Sequence, residues 1–113
     1  MDQLETHPGP LLVPVLVITE VAYLASERLG TEAEARFLAD FAGAALIIEP
    51  LVGDDLLRIV ELVWGYRDLR LGTVDASIIA AAERLALRTV ATLDRRHFAA
   101  VRPRHAEAFD LLP

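Results

Sequence analysis

Short apolar runs alternate along the chain with longer stretches of helical periodicity. Four runs rich in leucine, isoleucine and valine predict strands: 11–13, 46–50, 89–93 and 108–112. Apolar residues that recur every three or four positions predict helices, the last of them a short helix or turn: 15–29, 31–42, 54–68, 73–86 and 95–100. Strands that alternate with longer helices are typical of an α/β sandwich built on a parallel sheet.

The first predicted helix, 15–29, has clear ends. Pro14 suits a first helical turn, because its missing N–H would be unpaired there in any case, and Gly30 suits the position just after a helix. Thr31 followed by Glu34 is the pattern of a capping box, so a second helix is predicted to begin at once. The first half of helix 15–29 is apolar around most of its circumference, which predicts burial on most sides.

The composition is that of a single globular domain over residues 1–113. Of the 113 residues, 54% are apolar and 25% are charged, which is enough apolar sequence for a core. The absence of cysteine excludes disulfides and thiolate metal sites and fits a reducing cytoplasm. The acidic N-terminus lacks the apolar segment of a signal peptide, and the longest uncharged run, 7–19, is too short for a membrane span. We therefore expect a cytoplasmic protein with no membrane contact.

Charge is distributed unevenly, although the net charge is −6. Residues 1–69 carry four arginines and twelve acids, whereas residues 70–113 carry seven arginines and five acids. Four of those arginines follow one another with no acid between them: Arg95, Arg96, Arg102 and Arg104. Such a basic stripe can hold a phosphate backbone, and a solvated surface is an equally good interpretation.

Three acids occupy positions where active sites form in α/β proteins. Asp94 directly follows a predicted strand. Glu20 lies within the first two turns of helix 15–29, and Asp75 lies in the first turn of helix 73–86. Ligands of open parallel sheets bind outside the carboxyl ends of the strands. Neighbouring strands can therefore bring the three acids together.

These acids are a candidate metal site. Clustered carboxylates repel one another, and Mg²⁺ or Mn²⁺ relieves the repulsion because both ions prefer oxygen ligands. Asp75 also has a structural interpretation at similar odds, since a helix dipole favours an acid in the first turn, and Asp94 can likewise cap a short helix. Glu20 has no such alternative, because its neighbours one turn away on the helix are apolar or aromatic.

The acids lie in three short motifs. These are Val17-Ile18-Thr19-Glu20-Val21, Thr73-Val74-Asp75-Ala76-Ser77-Ile78-Ile79-Ala80 and Thr92-Leu93-Asp94-Arg95-Arg96-His97-Phe98. Asp94 lies 19 positions after Asp75. In this order and spacing, the chain from about Leu11 to its end resembles the PIN-domain ribonucleases of the VapC type, the toxins of VapBC toxin–antitoxin pairs.

The resemblance implies a three-layer α/β/α sandwich whose parallel sheet has the strand order 3-2-1-4-5. It implies that Glu20, Asp75 and Asp94 bind Mg²⁺ or Mn²⁺ and hydrolyse RNA phosphodiester bonds. It further implies that Arg95 and Arg96 contact the RNA backbone. A VapB-type antitoxin would neutralise the toxin, and the toxin would form a homodimer.

One part of the family pattern has no counterpart in this sequence. The family opens with a strand that ends in an aspartate, and this strand is the centre of the sheet. The chain begins instead in the helix that normally follows, so we expect a PIN-like domain without the usual first strand. The alternative function is a catalytically inactive remnant that binds only an antitoxin or another toxin. A small phosphoryl-transfer or signalling domain is a third interpretation, and the absence of lysine argues against it.

Trp64 is the single tryptophan of the chain. It recurs at helical spacing with Leu57, Val60 and Val63. This spacing predicts packing in the core or in a dimer interface, in preference to a place in an antitoxin groove.

Overall fold

Strands and helices alternate along the chain in the predicted order. The computed structural model describes residues 11–44, 46–91, 95–106 and 108–112, with the backbone alone at residues 91, 95–97 and 112. The elements are β1 (Leu11–Pro14), α1 (Val15–Leu29), α2 (Thr31–Ala42), β2 (Leu46–Glu49), α3 (Asp55–Gly65), a 3₁₀ turn (Arg67–Leu69), α4 (Thr73–Arg84), β3 (Thr89–Ala91), α5 (Arg95–Ala100) and β4 (Asp110–Leu112). The described residues form two compact units, 11–50 and 51–112.

Each unit contains one pair of parallel strands. In the first unit β1 pairs with β2, with Leu11 opposite Leu46, and in the second β3 pairs with β4, with Thr89 opposite Asp110. Parallel pairing requires a crossover connection, which α1 and α2 supply in the first unit. The predicted parallel arrangement is confirmed. In the strand order 3-2-1-4-5, strand 2 pairs with strand 3, and strand 4 pairs with strand 5. The pairs β1–β2 and β3–β4 correspond to these two pairs when the first strand of that order is not counted.

Helices α1 and α2 are joined by the single residue Gly30. Its φ of 93° and ψ of 176° are accessible to glycine and to almost no other residue. Gly30 therefore takes the N-cap position of α2, and its carbonyl accepts a hydrogen bond from the N–H of Glu34 at 3.1 Å. The predicted capping box is wrong: Thr31 lies inside the helix and makes no side-chain cap, because glycine alone can turn the chain this sharply.

Helix α1 is less buried than its sequence predicts. Ala22 is its one buried residue, and the rest of the helix is half-buried or exposed. Within its unit α1 packs mainly against α2, and one neighbouring helix covers only part of its circumference. Burial of the first half on most sides is thus a wrong prediction for this structure.

The unit 51–112 has a continuous apolar core. Its buried members come from α3, α4, β3, α5 and the connecting segments before α4, after α5 and before β4: Ile59, Leu62, Leu71, Ala76, Ile79, Ala80, Ala82, Val90, Phe98, Val101 and Phe109. The alanines of α4 let its neighbours approach closely, and the two phenylalanine rings meet edge to face with centroids 6.2 Å apart. Within the described residues, each helix is too short or too polar to cross a bilayer.

Helix α4 ends two residues earlier than predicted. Ala86 adopts a left-handed conformation with φ of 56°, and the N–H of Leu87 donates to the carbonyl of Ala82 at 2.8 Å. A second bond joins the N–H of Ala86 to the carbonyl of Glu83 at 3.2 Å. This pair of bonds is a Schellman motif, and it satisfies the last carbonyls of the helix without a glycine.

Candidate functional site

Asp75 lies in the first turn of α4. Gly72 is the N-cap, in an extended conformation, and Thr73 is the first helical residue. The side chain of Asp75 is half-buried, beside the fully buried Ala76 and Ser77. Unsatisfied N–H groups and the helix dipole make this end of α4 favourable for a negative charge. The position suits a carboxylate side chain.

Two ion pairs fix α4 against α3. The guanidinium of Arg84 donates to both carboxylate oxygens of Asp55, at 3.0 and 3.1 Å. The guanidinium of Arg58 donates to both oxygens of Glu83, at 2.7 and 2.9 Å. Both carboxylates are more than nine-tenths buried, and each pair is bidentate, which is the strongest geometry for such contacts. The helix that carries Asp75 is therefore held at its far end by charge as well as by apolar packing.

The ion pairs keep the two acids ionised. Burial raises the pKa of Asp55, but hydrogen bonds from Arg84 and from the N–H of Val52 outweigh it and leave the pKa below its usual value. Burial likewise raises the pKa of Glu83, and the bonds from Arg58 and from the N–H of Arg104 lower it further than burial raises it. Both acids are consequently negative at neutral pH, and neither is a proton donor for catalysis.

Part of the predicted basic stripe makes contacts within the chain. Arg104 donates to both oxygens of Glu61, at 2.9 and 3.0 Å, so its charge is already paired. His105 places Nε2 2.7 Å from the carbonyl oxygen of Leu87. Arg102 remains exposed. The exposed ion pair with Glu61 would have to open before Arg104 could bind a phosphate backbone.

Glu20 lies exposed on α1, within two turns of the end of β1. Its carboxylate is accessible, as a metal ligand requires. A groove of about 370 Å³ lies in the same unit, between α1 and α2. Its lining includes the hydroxyl-bearing residues Thr19, Tyr23 and Ser26 and the acid Glu34. Glu20 does not line this groove, so the groove and the candidate metal ligand are separate features.

The sequence model of the PIN domain matches residues 1–102. The chain belongs to the PIN-domain family. This PIN domain is also 34% identical, over 110 residues, to ribonuclease VapC26 of Mycobacterium tuberculosis (strain ATCC 25618 / H37Rv). The aligned part covers 97% of this chain and 82% of that relative. The predicted resemblance to VapC-type PIN domains is confirmed.

A solved structure has the same fold as this PIN domain. The crystal structure of VapC20 of Mycobacterium tuberculosis, described as a toxin that cleaves the sarcin–ricin loop, matches with a TM-score of 0.67. The match covers 76% of this chain and 66% of that chain, at 17% sequence identity. At this identity the likeness shows the fold alone, and it confirms the predicted α/β class.

The third predicted acid of this PIN domain, Asp94, lies outside the described residues. The backbone of Arg95 and Arg96 begins α5, and their side chains also lie outside what is described. Among the described residues, no group of three histidines, acids or cysteines is close enough to hold a metal ion. Two of the predicted ligands, Glu20 and Asp75, are described, each within its own unit. The meeting of all three acids therefore stays a prediction.

The sequence did not single out the residues that hold α4 in place. Asp55 follows Asp54 at the start of a helix, where an acid looks like a response to the helix dipole alone. Its partner Arg84 lies 29 positions away, and Glu83 lies 25 positions from Arg58. No local pattern predicts contacts at that separation.

Proposed function

We propose that this PIN domain is a metal-dependent endoribonuclease of the VapC toxin type. The observation that carries the proposal is the similarity to a ribonuclease of this type along 97% of the chain. The aligned part of this chain spans the stretch that contains its three acidic motifs. Similarity along nearly the whole chain favours an enzyme over the inactive remnant, because a protein that only binds a partner would not need to keep the whole sequence.

In the proposal, Glu20, Asp75 and Asp94 hold a divalent cation, Mg²⁺ or Mn²⁺. The chemistry of the donors fits, because all three are carboxylates, Glu20 is exposed and Asp75 lies at a helix N-terminus. When bound, the cation lowers the pKa of a coordinated water and offsets the charge that develops on the phosphate. Arg95 and Arg96, which directly follow Asp94, bind the RNA backbone and orient the scissile phosphate.

The proposed partners follow from the same assignment. A VapB-type antitoxin neutralises the toxin, RNA is the substrate, and two copies of the toxin form a homodimer. The cytoplasm is the compartment in which RNA and antitoxin are both available, and the absence of cysteine suits it.

The test is cleavage of a structured RNA by the purified chain, with Mn²⁺, with Mg²⁺ and with EDTA. We expect cleavage with metal and none with EDTA. Glu20→Gln, Asp75→Asn and Asp94→Asn should each lower the rate by about 100-fold or more, since each removes a ligand charge. Replacing Arg95 and Arg96 by glutamine should raise KM and reduce its dependence on salt, with a smaller effect on kcat.

Two surface acids provide matched controls. Asp68→Asn and Glu32→Gln make the same chemical changes at exposed positions in the two units, and cleavage should be unchanged. Cleavage that survives the three acid substitutions would show that the metal assignment is wrong. A parent chain that binds antitoxin but cuts no RNA with either metal would support the inactive remnant.

A further inference from the structure

The described arginines of the unit 51–112 fall into two groups. Some are paired with acids: Arg58 with Glu83, Arg84 with Asp55, Arg104 with Glu61, and Arg88 with Asp110 at 4.0 Å. Arg67, Arg70 and Arg102 are exposed, and none of them forms an ion pair with an acid that the structure describes. An exposed arginine that no acid of the chain neutralises is available to an anion from outside.

The three unpaired arginines come together around Tyr66. The N–H of Arg102 donates a hydrogen bond to the Tyr66 hydroxyl at 3.0 Å. Arg67 directly follows Tyr66 and begins the 3₁₀ turn, and the N–H of Arg70 ends that turn with a bond to the carbonyl of Arg67 at 3.0 Å. Asp68, the acid within the turn, is exposed and pairs with none of the described arginines. We call Arg67, Arg70 and Arg102 the Tyr66 patch, and the patch has an excess of positive charge.

Arg67 is held in a defined position within the Tyr66 patch. Its guanidinium lies 4.4 Å from the centre of the Trp64 ring and donates a hydrogen bond to the Trp64 carbonyl at 2.8 Å. Trp64 itself is 68% exposed, so packing in the core, one of its two predicted places, is a wrong prediction. The carbonyl uses one N–H group of the guanidinium, and the others can bind a phosphate oxygen.

Arg70 has a backbone conformation that glycine would adopt more easily. Its φ of 60° and ψ of 42° are left-handed, and among the described residues only Ala86 shares a positive φ without being glycine. A residue with a Cβ loses stability in this conformation. Arg70→Gly is therefore an informative variant, because it removes the charge and relieves the backbone strain in one change.

The Tyr66 patch lies next to the acidic motifs along the chain. Arg70 lies five positions before Asp75, in the turn that leads into the first turn of α4. Arg102 follows α5, the helix whose first residue comes directly after Asp94. The described part of the patch thus joins the segment that precedes one predicted metal ligand to the segment that follows another.

We propose that the Tyr66 patch binds the sugar–phosphate backbone of the substrate RNA at nucleotides beyond the scissile phosphate. This inference rests on the proposed function, and it names the substrate class: an RNA long enough to reach from the acids to the patch. The sequence grouped Arg102 with Arg104, whereas the structure groups it with Arg67 and Arg70 and pairs Arg104 with Glu61. Arginine binds phosphate oxygens whatever the base, so the patch supplies affinity and register without base specificity.

RNA suits the patch better than an acidic protein segment does. The turn that carries Arg67 and Arg70 leads into the helix of Asp75, which is one of the acids proposed to act on RNA. A chain of regularly spaced phosphates that enters the acidic site therefore passes close to these cations. Polyglutamate is the matched polyanion that tests this choice.

Binding through phosphates has a measurable dependence on salt. Each phosphate that an arginine neutralises adds about 0.7–0.9 to the slope of log Kd against log salt concentration. Replacing Arg67, Arg70 and Arg102 together by glutamine should lower that slope by about 2–3. The same triple variant should raise the Kd for RNA by about 10-fold or more at a salt concentration of about 0.1 M.

The measurement is fluorescence anisotropy of an end-labelled hairpin RNA with the full chain in EDTA. Arg88→Gln is the matched control, since it removes a 61% exposed arginine of the same unit that directly precedes β3 and is paired with Asp110. This control should leave the Kd and the salt slope nearly unchanged. A labelled trinucleotide is too short to reach the patch and should bind the parent chain and the triple variant equally.

Arg70→Gly separates binding from stability. It should raise the Kd for the hairpin RNA by about 3-fold, and it should raise the melting temperature by about 4 °C because the strain is relieved. A higher melting temperature with an unchanged Kd would show that the side chain of Arg70 binds no RNA, and it would overturn the role of Arg70 in the patch.

Three results would overturn the proposal as a whole. They are an equal loss of affinity in Arg88→Gln and the triple variant, a salt slope that the triple variant leaves unchanged, and tighter binding of polyglutamate than of RNA by the parent chain. The binding assay contains no metal. A chain that binds RNA through the patch but cuts none leaves this inference standing while the nuclease proposal fails, and a chain that cuts RNA but binds it equally without the three arginines does the reverse.

Discussion

Asp55 and Arg84 are the clearest case of a residue whose role is set by a distant partner. The Asp55 carboxylate is 7% exposed, and it accepts bonds from Arg84 and from the N–H of Val52. A buried charge of this kind is tolerable only while its partners are present. Asp54, one position earlier, is exposed and has its carboxylate in water. Loss of the Asp55 carboxylate should therefore change the free energy of unfolding far more than loss of the Asp54 carboxylate.

Replacing Arg84 by glutamine should lower the free energy of unfolding by about 2–3 kcal/mol. The cost arises because Asp55 is left buried without its cation. It stays below the cost for a fully buried pair, because the Arg84 side chain is 27% exposed. Urea unfolding followed by circular dichroism measures the change. Asp54→Asn is the control and should change stability by less than about 0.5 kcal/mol. Equal effects of the two substitutions would show that the ion pair contributes nothing.

At the scale of elements, the connection between α1 and α2 depends on one backbone conformation. Gly30 has a φ of 93°, and a Cβ added there would meet nothing within 4 Å. A side chain at this position is therefore excluded by the backbone and not by crowding. The helix pair of the first unit owes its sharp turn to this residue, and α1, which carries Glu20, depends on the turn for its placement against α2.

Gly30→Ala should lower the free energy of unfolding by about 1–3 kcal/mol, the cost of an alanine in a conformation that belongs to glycine. Gly65→Ala is the matched control. Gly65 is the last residue of α3, has no positive φ and also has open space around its Cα. Alanine there should stabilise the protein by up to about 1 kcal/mol, since it restricts the unfolded chain. Thermal unfolding of both variants measures the two changes. A melting temperature that shifts in the same direction in both variants would contradict the backbone explanation.

At the scale of the whole molecule, the two ion pairs make stability depend on pH. The pKa of Asp55 and the pKa of Glu83 are both lowered in the folded state. A carboxylate with a lowered pKa stabilises the fold at every pH above its unfolded value. That contribution is lost as the pH falls through the folded value. Acid should therefore weaken the contact between α3 and α4.

The free energy of unfolding should be nearly constant around neutral pH and fall below about pH 4. The difference between the parent chain and Arg84→Gln should be largest at pH 7 and shrink in the same acidic range, because a protonated Asp55 no longer needs the guanidinium. Urea unfolding at a series of pH values measures both quantities. The comparison removes the contribution of the other carboxylates, and a difference that stays constant down to pH 3 would be inconsistent with the ion-pair argument.

The sequence by itself determined the succession of elements and the family. The bounds of α1 follow from Pro14 and Gly30, and β1 and β2 follow from short apolar runs, because these signals act between neighbours in the chain. The acidic motifs around Glu20 and Asp75 are local as well, which is why a single sequence sufficed to find them.

Only the tertiary structure decided which faces of the helices are covered and which charges are paired. Trp64 has the spacing of a core residue and lies exposed, because periodicity defines an apolar face without saying whether anything packs on it. Arg104 belongs to a basic stripe that the sequence assigns equally well to a phosphate backbone or to solvent, and it is paired with Glu61, 43 positions away. Glu61 lies on α3 and Arg104 lies in the turn after α5, so the two meet only through the fold of the unit 51–112, and no local pattern encodes the meeting.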